Sequence, residues 1–252
     1  MRIALIGAGR VASCMGPRLK QAGHTIACVY SRTLTNAREL ADKLGAPAFD
    51  RLESVPADIC LTMLADDALV QLAPEIVKTC PDALFLHTAG SIPMDIWKEA
   101  GAKRYGVLYA MQTFSKGADI DWPQVPVFIE SDTDIDAVKE LALSLSANVT
   151  PLSSKGRRKL HVAAVFACNF ANHMYAVSEQ LLREEGVPFS VMLPLVRETA
   201  RKVETMSPVD AQTGPAIRGD RKVINEHLEL LKDYPEYAEI YRLISKDINK
   251  QL

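Results

Sequence analysis

The sequence predicts an α/β fold: a parallel sheet with crossover helices, followed by a smaller all-helical region. Three observations predict it. Short apolar runs alternate with amphipathic stretches as far as Leu152, a glycine-rich turn joins the first run to a helical pattern, and beyond Ser153 the strand-like runs stop. In order, the strand candidates are Arg2 to Ile6, Thr25 to Tyr30, Ile59 to Leu64, Leu84 to His87, Gly106 to Ala110, Val125 to Glu130 and Asn148 to Leu152. Helical spacing separates them at Asn36 to Leu44, Ala68 to Lys78 and Asp134 to Ser146, the last stacking Ile135, Val138, Leu141, Ala142 and Leu145 on one face. Leu160 to Glu185 is then one long apolar, helical run without proline. Pro188, Pro194, Pro208 and Pro215 punctuate shorter helices, and Tyr237 to Asn249 closes the chain at helical spacing. The expected division is residues 1–153 and 154–252, with the boundary near Ser153 to Lys155.

Composition narrows the function classes. The 252 residues are 48% hydrophobic and 24% charged, and Lys+Arg 29 nearly cancels Asp+Glu 31, which disfavours a polyanion-binding protein. No apolar run approaches the roughly 18 residues of a membrane span, and the chain enters a strand pattern at once, so a cytoplasmic protein is expected. The five cysteines, Cys14, Cys28, Cys60, Cys80 and Cys168, stand singly without metal-ligand spacing and read as reduced core residues.

Ile3-Ala4-Leu5-Ile6 runs into Gly7-Ala8-Gly9-Arg10-Val11-Ala12, the G-x-G-x-x-A form of the dinucleotide fingerprint at a strand-to-helix junction. Gly7 permits the tight turn, Gly9 lets backbone approach a pyrophosphate, and Ala12 lets the helix lie close to the sheet, with the helix dipole favouring the anion. Pro17 falls where helix interior is expected and should bend the helix or delay its start. Where the second strand ends, an acidic residue would receive the ribose 2′-hydroxyl of NAD. The chain has Ser31, Arg32 and Thr33 there, a guanidinium fork flanked by hydroxyls that suits a 2′-phosphate. NADP(H) is therefore the expected cofactor, with NAD(H) the second choice.

Parallel strands present their carboxyl ends to a ligand, so the segments around Leu64 and Ala65, and Thr88 to Ser91, should line it. Thr88 and Ser91 offer hydroxyls beside Gly90, His87 reads as a strand residue, and Gln112 follows the next strand as a candidate ligand contact. The long helix, apolar nearly all round, should be buried. At about 100° per residue, His161 and Asn172 fall within roughly 20° of each other and Asn169 about 80° from His161, a sparse polar track. A buried amide or imidazole without a partner costs about 1 to 3 kcal/mol, so this track is either a structural network or a site. In the functional reading His161 donates a proton, Asn169 and Asn172 hold a small carbonyl or imine, and Arg218 binds an anionic group or pairs with Asp220.

Together the Gly7 to Ala12 turn, His87-Thr88-Ala89-Gly90-Ser91, the His161 to Asn169 helix and Thr213-Gly214-Pro215 with Arg218-Gly219-Asp220 resemble the Rossmann-like proteins carrying domain of unknown function 2520, over essentially the whole chain. The amino-terminal half is also similar to the domain shared by deazaflavin-dependent NADP oxidoreductases and pyrroline-5-carboxylate reductase. The whole resembles the wider 6-phosphogluconate dehydrogenase-like superfamily. This resemblance implies hydride transfer and a homodimer built through the helical domain. Many hydroxyacid dehydrogenases of that group place a catalytic lysine one turn before an asparagine on the first helix of the second domain. Asn169 matches the asparagine, whereas the position one turn earlier is Val165.

The expected function is NADP-dependent hydride transfer to or from a small carbonyl or imine in a cleft between the two domains. A catalytically inactive NADP(H)-binding sensor is the alternative, since the lysine is missing.

Overall fold

The computed structural model describes residues 1–251. The sheet has eight strands in the order β3-β2-β1-β4-β5-β6-β7-β8. They are β1 (Arg2–Ile6), β2 (Thr25–Tyr30), β3 (Ala48–Phe49), β4 (Ile59–Thr62), β5 (Leu84–His87), β6 (Tyr105–Ala110), β7 (Val127–Glu130) and β8 (Val149–Pro151). All neighbours pair in parallel except β6 and β7, which are antiparallel. The first run of strands reverses its direction of growth between β1 and β4, the topological switch at which open α/β sheets bind ligands.

Alternation along the strands separates two apolar layers. Ile3, Leu5, Leu61, Leu86, Leu108 and Val127 point to one face, which is covered by α1 (Arg10–Gln21), α2 (Leu34–Leu44) and α5 (Ile135–Leu145). Cys60, Phe85, Val107 and Tyr109 point to the other, covered by α3 (Asp66–Thr79) and α4 (Asp95–Glu99). Both faces of the central strands are therefore buried, which is why these strands read as continuous apolar runs. The two-residue β3 and the five-residue α4 are too short to leave a periodic signal and were not expected from the sequence.

Helix α1 begins on time and runs through Pro17, losing only the backbone bond that a Pro17 N–H would have made. Its close approach to the sheet is set at two positions. Ala12 is fully buried, and a Cβ on Gly16 would lie 3.0 Å from Leu44 Cδ1 and 3.3 Å from Leu5 Cδ1.

After the sheet come α6 (Ser154–Ala164), a π turn (Val165–Phe170), α7 (Ala171–Glu184), α8 (Leu193–Lys202), α9 (Pro215–Arg218), α10 (Arg221–Leu230) and α11 (Pro235–Ile248). The chain forms two compact units, Met1–Asn169 and Phe170–Leu252. The residues near Ser153 to Lys155 lie at the start of α6, and that helix belongs to the first unit. No helix among the described residues is long and apolar enough to cross a membrane.

The expected long buried helix does not form as such. Val165–Phe170 closes in the five-residue π pattern, so a count of 100° per residue does not run through it. Nor is the segment buried: Val162 is 56% exposed and Cys168 is exposed. An apolar composition gives burial only where other elements cover it, and no residue of the π turn or α7 is fully buried in the single chain. Of the other cysteines, Cys28, Cys60 and Cys80 are buried, Cys14 is half-buried, and all five thiols are free.

Candidate functional site

Strand β1 delivers the chain to Gly7, whose φ of +117° and whose missing Cβ are both required: a Cβ there would strike the Met63 carbonyl. Gly7 N–H donates to the Tyr30 carbonyl at 2.8 Å, so the turn is pinned between the ends of β2 and β4. Gly9 differs. Its φ is −81°, and a Cβ there would meet nothing within 4 Å. Neither backbone nor packing demands a glycine at 9, and the open space lies at the amino terminus of α1. That terminus has no side-chain cap and no acid in its first turn, leaving its N–H groups for an outside anion. Ala8 is buried, Val11 half-buried and Arg10 exposed.

At the end of β2, Ser31 Oγ accepts from Thr33 N–H at 3.3 Å, forming a local turn. Arg32 and Thr33 are exposed, and the guanidinium groups of Arg32 and Arg10 make no hydrogen bond or ion pair with other described residues. The open space at Gly9 and the uncapped helix fit the diphosphate of a dinucleotide.

After β4, Leu64 is half-buried and Ala65 exposed at the start of α3. Ser91 Oγ donates to the Asp66 carboxylate, tying the turn after β5 to the first turn of α3. Thr88 N–H donates to the Thr62 carbonyl at 3.2 Å. His87 is fully buried, and its Nδ1 accepts from Ala89 N–H at 3.2 Å. Burial, reinforced by the nearby Arg157 charge and opposed by the Pro93 backbone, pushes its pKa down to about 3. It is a neutral strand residue, unsuited to proton donation near neutral pH.

The turn after β5 is held from the other side by α6, and two of its residues one helical turn apart do this. Arg157 has no exposed surface. Its guanidinium donates to the Ala89 carbonyl (3.2 Å), the Ile92 carbonyl (2.5 Å), Glu130 Oε2 (2.6 Å) and Ser154 Oγ (3.2 Å). Glu130, at the end of β7, also accepts from Ser154 N–H at 2.7 Å and Ser154 Oγ at 2.6 Å, while Ser154 Oγ accepts from Met94 N–H at 3.0 Å. Four residues on, His161 lies directly on Gly90: a Cβ on Gly90 would fall 2.6 Å from His161 Nδ1. The Tyr109 hydroxyl, at the end of β6, is 3.1 Å from the same nitrogen, with the rings edge to face at 81°. Burial raises the Tyr109 pKa, with Arg157 opposing, so the phenol stays protonated. A phenol donating to Nδ1 leaves the proton of a neutral imidazole on Nε2, which meets no hydrogen-bonding group among the described residues.

The first unit thus brings the Gly7 to Val11 turn, Leu64, Thr88, Tyr109 and His161 to the carboxyl ends of adjacent parallel strands. Ser91 is occupied by Asp66. Gln112 is exposed, with Oε1 turned back to accept from Thr113 N–H at 2.8 Å. Asn169 is exposed within the π turn that ends the unit. Asn172 and Arg218 belong to the second unit and are both exposed there. Asp220 does not pair with Arg218; it caps α10 by accepting from Val223 N–H at 3.2 Å.

Sequence reasoning did not single out Arg157, Glu130 or Tyr109. The first stands in the run Ser154-Lys155-Gly156-Arg157-Arg158-Lys159, which reads as a solvated basic stretch. The available signal was spacing: Arg157 and His161 are i and i+4 on one helix face.

Residues 2–84 match the model for "NADP oxidoreductase coenzyme F420-dependent", and residues 125–248 match domain of unknown function 2520. The crystal structure of BF3122 from Bacteroides fragilis, a candidate NADP oxidoreductase, is 46% identical, with 99% of this chain and 98% of that chain covered and a TM-score of 0.93. The chain belongs to this DUF2520 family of candidate NADP oxidoreductases. Protein TM1727 of Thermotoga maritima shares the fold at 21% identity, covering 98% and 97% of the two chains, with a TM-score of 0.75. So does a reductive aminase from Aspergillus terreus, solved with NADPH and ethyl-5-oxohexanoate, at 16% identity, 99% and 92% coverage and a TM-score of 0.73. No curated protein matches this DUF2520 chain.

Proposed function

We propose that this DUF2520 protein is an NADP(H)-dependent reductase of a small carbonyl or imine, with His161 as the proton donor. The observation that carries the reading is the placement of the His161 imidazole on Gly90, on the rim of the sheet that also bears the Gly7 to Val11 turn. When bound, the nicotinamide supplies the hydride. The chain's own residues do the rest. Gly9 and the start of α1 receive the pyrophosphate, Arg32 with Ser31 and Thr33 receives the 2′-phosphate, and Leu64, Ala65 and Thr88 line the ring end. Tyr109 holds the His161 tautomer, so a proton is presented at Nε2 to the oxygen or nitrogen that gains negative charge. Asn169, in the same unit as His161, offers an amide that orients the substrate. As placed, Ser91 Oγ is engaged by Asp66 of α3 and Gln112 Oε1 by the Thr113 N–H.

The reductive aminase that shares the fold was solved with NADPH and ethyl-5-oxohexanoate, which carries a ketone, and this supports a small carbonyl as the substrate class. We further propose a homodimer through the helical region, supported by Val191 at 52% and Leu195 at 63% exposed on elements that contain no buried residue.

The test is a titration with NADPH, followed by its oxidation against a panel of keto acids, aldehydes and cyclic imines. Saturable binding with oxidation by one class, lost in His161→Ala while binding persists, is expected. Tight binding without oxidation by any class would favour the sensor, and no binding of either pyridine cofactor would overturn both.

A further inference from the structure

The contacts of Arg157 do more than join a helix to a sheet. A guanidinium is a rigid planar fork, and this one reaches three separate pieces of backbone or side chain at once. Two of its partners, the Ala89 and Ile92 carbonyls, bracket Gly90 in sequence. The third, Glu130, belongs to β7 and fixes where the fork can sit, while Ser154 ties Glu130 back to the start of α6. One helical turn beyond Arg157, His161 rests on the bracketed residue. Arg157 and His161, one turn apart on the same helix, thus engage the same β5 turn.

We propose that Arg157, held by Glu130, is the positioning residue of the site: it sets the His161–Gly90–Tyr109 geometry from which the proton is delivered, without touching the reacting atoms itself. This rests on the reading of His161 as proton donor, and the measurements separate the two ideas. Lysine keeps the charge at 157 but is a point donor on a flexible stem and cannot span the Ala89 carbonyl, the Ile92 carbonyl and Glu130 together. Arg157→Met/Glu130→Leu removes both charges together, so the fork is lost without leaving an unpaired buried charge, and thermal melting checks that the variant is folded.

The first readout is independent of turnover. Nitrogen-15 spectra of the histidine rings in the unmodified protein should show His161 as the Nε2–H tautomer, with Nδ1 shifted by the Tyr109 bond. In Arg157→Lys, and in Arg157→Met/Glu130→Leu, the two tautomers should mix and the Tyr109 signature should disappear. The second readout is kinetic: kcat should fall at least tenfold in both variants, while the NADPH dissociation constant stays within twofold. If the folded double variant keeps the single tautomer and the original kcat, Arg157 is only a structural tie and the proposal is overturned. If the unmodified protein shows the tautomer and both variants lose it, but none turns over, then the positioning stands and the assignment of His161 as proton donor fails.

Discussion

Gly90 and His161 share one volume: a Cβ at residue 90 would fall 2.6 Å from the imidazole Nδ1 and 2.7 Å from Cγ. The φ of Gly90 is not in the left-handed region, so alanine would suffer no backbone strain there and the conflict is with the His161 side chain, chiefly its ring. Gly90→Ala should therefore cost about 1 to 3 kcal/mol through overpacking and displace the imidazole. Turnover should fall at least tenfold, with NADPH affinity retained. The double variant Gly90→Ala/His161→Ala should recover most of that stability and none of the turnover. Urea denaturation of the four proteins checks this, because an additive cycle would mean the two residues do not collide.

Gly7 and Gly9 should fail in different ways. Gly7→Ala places a side chain at φ +117° and against the Met63 carbonyl, so it should lower the melting temperature or prevent folding. Gly9→Ala has room and an ordinary φ, so its melting temperature should match the parent within the error of the scan. Its NADPH affinity should nevertheless drop by tenfold or more, because the methyl occupies the anion's approach. A Gly9→Ala protein that binds NADPH normally would place the pyrophosphate elsewhere.

Arg32 carries the preference between cofactors. It has no partner among the described residues to lose, so Arg32→Ala should leave stability unchanged. A hydrogen bond to a charged group is worth about 1.5 to 3 kcal/mol, which predicts a weakening of NADPH binding by about ten- to a hundredfold. NADH binding should stay the same. Titrations with both cofactors decide it, and an equal loss for the two would remove the 2′-phosphate contact.

The helical elements Phe189–Met192 and α8 hold no buried residue, yet carry Val191, Leu193 and Leu195 on their exposed surface. Light scattering after gel filtration should give about twice 27.7 kDa for the parent. Leu195→Asp combined with Val191→Asp should give the single-chain mass. A monomeric parent would refute the dimer.

These outcomes also show where the sequence was legible. The parallel sheet was, because β1, β4 and β5 are buried on both faces and each leaves a run such as Leu84 to His87. The phosphate turn was, because Gly7 answers a backbone requirement that no other residue meets. The geometry around His161 was not, because it depends on Arg157 meeting Ala89, Ile92 and Glu130, partners between 27 and 68 residues away. A basic run gives no sign of which of its cations is buried. The angular count along the polar track was not legible for a related reason: five-residue closure at Val165–Phe170 is a property of the packed chain, and helical counting assumes four-residue closure throughout.

The last prediction concerns acid stability and follows from His87. Its folded pKa of about 3 lies below the ordinary histidine value of 6.5, so between those limits the unfolded chain holds a proton that the folded chain refuses. Stability should therefore be fully present above about pH 6.5 and decline as the pH falls toward 3, with His87 contributing a slope of about 1.4 kcal/mol per pH unit. His24, whose pKa burial also lowers, acts in the same direction, so the slope does not vanish when His87 is removed. His87→Gln keeps an acceptor for Ala89 N–H and cannot be protonated. Urea denaturation at pH 7, 6, 5 and 4 should show a shallower decline for this variant than for the parent. Parallel curves would mean that the buried imidazole is charged in the folded protein, and the neutral strand residue deduced from its burial would be wrong.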